Sequence, residues 1–189
     1  MLRDGSSAEK RKDRKGRPRN AEVRPREHLA PKEVERLIHA AGQTGRHRHR
    51  DRVLLQLMYG HGLRAGEAVT LRRSQVDLDQ GVLHVRRLKN GVPSTHPLRG
   101  VEIRGLRRLF RESPESPFAF VSERATPLTV SGVQKIVCRA GSLAGFDFPV
   151  HPHQLRHSCG YKLANDGQDT RAIQLYLGHR NISHTVRYT

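Results

Sequence analysis

Apolar residues recur at helical spacing in short blocks along nearly all of residues 28–189, and one stretch breaks that rhythm. That pattern limits the fold most, because a period near 3.6 buries one helix face whereas a period of two buries one sheet face. Pro31 suits a first helical position, with Val34, Leu37, Ile38 and Ala41 behind it. A second helix is predicted from about Arg50 to Tyr59, with Val53, Leu54, Leu57 and Met58 facing inward and Gly60-His61-Gly62 as its stop. A short third helix starts near Arg64 and carries Ala65, Ala68, Val69 and Leu71. Further helical blocks cover Glu102–Arg111, Thr129–Ala140 (Val130, Val133, Ile136, Val137), Pro152 to about Asn165, Thr170–Leu177 and Ser183–Tyr188. The exception is Val82-Leu83-His84-Val85, followed by Asn90-Gly91, a strong two-residue hairpin signal, and by Val92 to Leu98 as the returning strand. The predicted class is mostly α with a small antiparallel β-hairpin or sheet, in one domain without a parallel sheet.

Charge narrows the function. The 189 residues include 35 Lys and Arg against 18 Asp and Glu, a net of +17. Residues 1–27 hold ten of the basic and five of the acidic side chains, together with Pro18 and Pro25 and no apolar period. They read as a disordered basic arm or a solvated tail. Residues 28–189 still carry a net +12, so the fold itself is basic. Such a balance points to a polyanion, most often nucleic acid. Other classes fall away. The longest apolar run, Phe118-Ala119-Phe120-Val121, is far short of the roughly 20 residues of a membrane helix. The first residues have no apolar signal-peptide region. Cys138 and Cys159 cannot make a disulfide framework. There is no phosphate-binding G-x-x-x-x-G-K-[ST] loop.

Five places could carry chemistry. His153-Gln154-Leu155-Arg156-His157 puts two histidines at i and i+4, as on a zinc-protease helix, but the residue that should be the Glu base is Gln154. His153 and Arg156, three apart, instead project together near a helix N-terminus, which suits a phosphate. Arg64 begins another helix, with Glu67 three residues on to hold it. Lys89 sits at the shoulder of the Asn90-Gly91 turn, from which a long ammonium can reach a ligand. His179 follows Gly178 at a helix end, and Tyr188 lies in the last segment. Taken singly, each has a plain structural explanation: ion pairing, capping, solubility or packing.

Their order is distinctive. Gly62-Leu63-Arg64-Ala65-Gly66-Glu67, Arg86-Arg87-Leu88-Lys89-Asn90-Gly91, Thr95-His96-Pro97-Leu98, His151-Pro152-His153, Tyr176-Leu177-Gly178-His179-Arg180-Asn181-Ile182 and His184-Thr185-Val186-Arg187-Tyr188-Thr189 together resemble the catalytic domain of the tyrosine recombinases, the phage integrase family. Within it they resemble the small fimbrial phase-variation recombinases. The resemblance implies that Arg64 and Arg156 clamp one DNA phosphate, with His153 and His179 hydrogen-bonding it and His153 managing the tyrosine proton. Lys89 would be the general acid toward the leaving 5′ oxygen and Tyr188 the nucleophile, with Glu67 and His157 as supports. It implies no cofactor and no metal, double-stranded DNA as partner, a homotetramer on paired sites, no membrane, and a bacterial cytoplasmic, nucleoid-associated setting.

Two departures qualify that expectation. Many relatives carry a DNA-clamping domain ahead of the catalytic one, where this chain has the arm of residues 1–27 before a catalytic domain over 28–189. Relatives also continue past the nucleophile with a helix that docks on the neighbouring subunit, whereas Thr189 is the last residue here. Without that helix Tyr188 is expected to fray. A truncated, non-catalytic relative that occupies recombination sites, and a monomeric nicking-closing enzyme, stand as alternatives to a recombinase that inverts or integrates DNA.

Overall fold

A computed structural model describes residues 26–88 and 91–189. Lys89 and nearly all of the basic arm lie outside the described residues. Among those described, the order is α1 (Pro31–Ala41), α2 (Arg48–Gly60), α3 (Ala65–Val69), a 3₁₀ turn (Arg73–Gln75), β1 (Val76–Asp77), β2 (Val82–Val85), β3 (Ser94–Pro97), α4 (Gly100–Glu112), α5 (Val130–Leu143), α6 (Pro152–Asn165), α7 (Thr170–Leu177) and α8 (Ser183–Val186).

Four of the helices start where their third residue can cap them. Glu33, Glu67, Glu102 and Gln154 each accept a hydrogen bond from the backbone N–H three residues earlier, at 2.8, 3.0, 2.8 and 2.7 Å. Each satisfies a donor that the first turn would leave unpaired. Gln154, which stands where a zinc protease has its Glu, is thus a capping residue; its amide also donates to the Arg26 carbonyl at 2.8 Å.

The centre of the molecule is α2. Val53, Leu54, Leu55, Leu57 and Met58 are all buried, and α1, α3, α4 and α6 pack around them. Burial of that many side chains, at about 25 cal/mol per Å² of apolar surface, is the main driving force. The periodic positions of the other helices fill the same core, including Val34, Leu37, Leu106, Leu109, Val133, Ile136 and Val137. Val130 is the exception at 50% exposed, because it sits in the first turn of α5, outside the packed face.

The expected antiparallel pair forms, with a third short strand beside it. The sheet is antiparallel in the order β1-β2-β3, with Val76 opposite Leu83 and Val85 opposite Ser94. The last paired residues before the connection are Val85 and Ser94, and Asn90 of the expected turn lies, like Lys89, outside the described residues. Past the end of β2, Arg87 is drawn into the interior. Strand β1 is only two residues, too short to show a period.

Candidate active site

Arg64 enters the site from the N-cap of α3, just after Gly62 has turned the chain out of α2 at φ +57. A Cβ on Gly62 would lie 2.4 Å from the Leu177 side chain, so only glycine fits there. Glu67, 3% exposed, receives both the Arg64 amide and, at 2.7 Å, the Arg64 guanidinium. It also accepts from Arg87 at 3.0 Å and from the Leu88 amide at 3.2 Å, and Arg156 lies 3.9 Å away. Burial pushes the Glu67 carboxyl up, but the Arg64 amide and the Arg87 charge outweigh it and hold it below the usual range.

Arg156 comes from the second turn of α6 and is 1% exposed. It donates to the Gly62 carbonyl at 2.5 Å and the Leu177 carbonyl at 2.7 Å. Burial, and then the charges of Arg64 and Arg87, lower its pKa to about 10, so it remains a cation at neutral pH. Three guanidiniums therefore share the carboxylate of Glu67. Positive charge is left in excess in a low-dielectric setting, where an anion gains most.

Gly178, at φ +65, ends α7 and hands the chain to His179. His179 Nδ1 is 2.9 Å from Thr185 Oγ1, which ties it to α8. Burial, then the charges of Arg156 and Arg64, lower its pKa to about 3, so the ring is neutral at pH 7. His153 stands exposed on the first turn of α6, its ring meeting that of His157 edge-on at 4.4 Å.

Tyr188 does not fray; it is 7% exposed. Its hydroxyl lies 2.8 Å from His157 Nδ1, and its ring meets Tyr161 edge-on at 5.1 Å. The ring lies against Gly160, where a Cβ would come within 2.6 Å of it. Packing against α6 supplies the order that chain-end position alone would deny. Burial pushes the phenol up to about 12, with the Arg156 charge pulling the other way. Burial and the Arg156 charge lower His157 to about 4. At neutral pH the pair is a protonated phenol beside a neutral imidazole, which suits a phenol O–H donated to Nδ1.

The structure thus brings Arg64, Arg156, His179 and Tyr188 into one connected cluster, with His153 at its edge. Two residues gain weight. His157, expected only as a support, touches the phenol. Arg87 shares Glu67 with the other arginines. Extending the period-two pattern of buried Leu83 and Val85 by one step would have found it. Among the described residues no group of three or more His, Cys, Asp or Glu side chains is placed to hold a metal ion.

Comparison with known proteins gives the family and the fold. Residues 27–189 match the phage integrase family. The type 1 fimbriae regulatory protein FimB of Escherichia coli K12 is 43% identical over 174 residues, covering 89% of this chain and 86% of that protein. The crystal structure of XerA recombinase superposes with a TM-score of 0.76 at 28% identity, over 86% of this chain and 59% of that one. XerH site-specific recombinase bound to its difH substrate shares the fold, with a TM-score of 0.74 at 22% identity over 86% of this chain and 50% of that one. With a family match over most of its length and a relative of this identity, the chain belongs to the phage integrase family, the tyrosine recombinases.

Proposed function

We propose that Arg64, Arg156, His153, His179, Lys89 and Tyr188 cleave and rejoin double-stranded DNA through a 3′-phosphotyrosyl intermediate. The observation that carries this is the excess of guanidinium charge around Glu67, next to a buried tyrosine. A diester phosphate brings one negative charge and gains more as a pentacovalent centre forms. Fixed cations then stabilise the transition state more than the ground state.

In this reading Arg64 and Arg156 bind the non-bridging oxygens, and His179 and His153 hydrogen-bond the same phosphate. The Tyr188 oxygen forms a bond to phosphorus as the bond to the 5′ oxygen breaks. The phenol proton leaves toward the His153–His157 pair. The 5′ oxygen takes a proton from the Lys89 ammonium and departs as a hydroxyl. The phosphotyrosine keeps the bond energy, so attack by a 5′ hydroxyl reseals DNA without ATP. With an ordinary pKa near ~10 and burial raising it, the phenol needs the arginine field of a bound, water-excluded complex to react. By likeness to the fimbrial recombinases, the DNA is an invertible segment, bound by a homotetramer on paired sites.

The test is covalent capture on a nicked suicide DNA. The wild-type chain should form a protein–DNA adduct, and Tyr188→Phe should lose it while keeping site binding, since affinity resides in phosphate contacts. An adduct that persists in Tyr188→Phe would remove Tyr188 as the nucleophile. Absence of adduct from the wild-type chain with intact binding would favour a non-catalytic DNA-binding role.

A further inference from the structure

We propose that His157 itself takes the proton of the attacking phenol, the part that the family resemblance gives to His153; the reading rests on Tyr188 being the nucleophile. The Tyr188 hydroxyl lies 2.8 Å from His157 Nδ1, and both residues are buried. Neighbouring rings fix that contact. Tyr161 meets the Tyr188 ring edge-on at 5.1 Å, His179 stacks on it at 6.4 Å, and Gly160 leaves room for it against α6. His153 stands one turn earlier on α6, exposed, and meets the His157 ring edge-on at 4.4 Å. His157 therefore adjoins both the reacting oxygen and an exposed imidazole.

A phenol O–H donated to Nδ1 puts the proton of the neutral ring on Nε2. As the Tyr188 oxygen bonds to phosphorus, its O–H bond breaks and an N–H bond forms at Nδ1. The bond from phosphorus to the 5′ oxygen breaks at the same time, and that oxygen takes a proton from the general acid. His157 ends the cleavage step as an imidazolium. Resealing runs in reverse: the 5′ hydroxyl attacks phosphorus, and Nδ1 returns its proton to the departing phenol oxygen.

The surroundings keep the proton on oxygen until DNA arrives. Burial raises the phenol to about 12, against the pull of the Arg156 and Arg187 charges. Burial, then the charges of Arg156 and His28, lower His157 to about 4. A phosphate anion bound beside Arg156 offsets that guanidinium and makes His157 more basic, while bonding to phosphorus makes the phenol oxygen strongly acidic. Packing alone does not call for an imidazole here. A hydrogen bond from the phenol needs only an acceptor, and a side-chain amide would supply one. An imidazole is a neutral acceptor that is also a base near neutral pH.

The test is the single-turnover rate of adduct formation on the nicked suicide DNA between pH 7 and pH 9, for wild type, His157→Asn, His153→Asn and Tyr188→Phe. His157 stays neutral throughout that range. His157→Asn keeps an acceptor near the place of Nδ1 but cannot take a proton. It should lose about 10²–10⁴-fold at pH 7. As pH rises, hydroxide removes the phenol proton instead, so the deficit relative to wild type should shrink by about tenfold per pH unit while the phenol titrates above that range. His153→Asn should lose activity by an amount that does not shrink, because its bond is to the phosphate. A His157→Asn rate within about threefold of wild type at pH 7 would make His157 a holder of the phenol and overturn the proposal. So would a deficit that stays constant to pH 9, or a shrinking deficit in His153→Asn alone. If His157→Asn does not fold, His157→Gln decides by the same pH dependence. An adduct that persists in Tyr188→Phe would remove the nucleophile and this reading with it, whereas its loss there leaves the role of His157 to be judged by the other variants.

Discussion

Glu67 answers three arginines with one carboxylate, and that imbalance has a measurable consequence. Glu67→Ala would leave Arg87 and Arg156 buried without their shared partner. Removing one side of a buried ion pair costs about 3–5 kcal/mol, and urea unfolding should show a loss of that size. A loss below about 1 kcal/mol would mean that water reaches the cluster, as at surface pairs. Histidines set the acid response. His96, His157 and His179 have pKa values lowered to about 3, 4 and 3, chiefly by burial, against an ordinary value near ~6.5. Between those values the unfolded chain binds protons that the folded chain does not. Stability is therefore full above pH ~6.5 and should fall as pH drops through the window toward ~4. Melting curves at pH 7.5, 6, 5 and 4.5 test this, and a constant Tm down to 4.5 would show that these rings are not held neutral. The candidate site residues were proposed from order and spacing. Which of them touch was not: Tyr188 meets His157, thirty-one positions away, only because α6 and the last segment pack together.

At the level of the element, α6 does the most. It carries His153, Arg156 and His157 on its early turns and offers Gly160 as the surface on which Tyr188 rests. Gly160→Ala would press a methyl into the Tyr188 ring. Overpacking of this kind costs about 1–3 kcal/mol, and the same displacement should reduce adduct yield on the suicide substrate. Unchanged stability and yield would show that Tyr188 is held from elsewhere. The helices were legible because they have an apolar period and four of them have a capping side chain at the third position. The antiparallel pairing of β2 with β3 was legible too, but the burial of Arg87 was not, because it is pulled inward by Glu67 and by carbonyls remote in sequence. Nothing local encodes that pull.

Over the whole molecule, charge is the dominant property. The net +12 of residues 28–189 predicts DNA affinity that falls steeply with salt, with a log–log slope of about −0.9 for each phosphate neutralised. Deleting residues 1–25 should lower that slope. The cut stops at 25 because Arg26 pairs with Glu33 at 2.7 Å and Glu27 with Arg187, so both side chains belong to the fold's own contacts. An unchanged slope would make the arm a passive tail.

The sequence by itself determined the class of fold, the helices and their buried faces, the basic character and the order of the candidate site residues. All of these depend on local period, on composition or on short-range spacing. Only the tertiary structure decided that Glu67 gathers Arg87 and Arg156 as well as Arg64, that Arg87 lies inside and that the Tyr188 hydroxyl faces His157. Those contacts link positions far apart in the chain. They form because packing around α2 brings α3, α6 and the end of α7 to one place, and buried polar groups there must find partners.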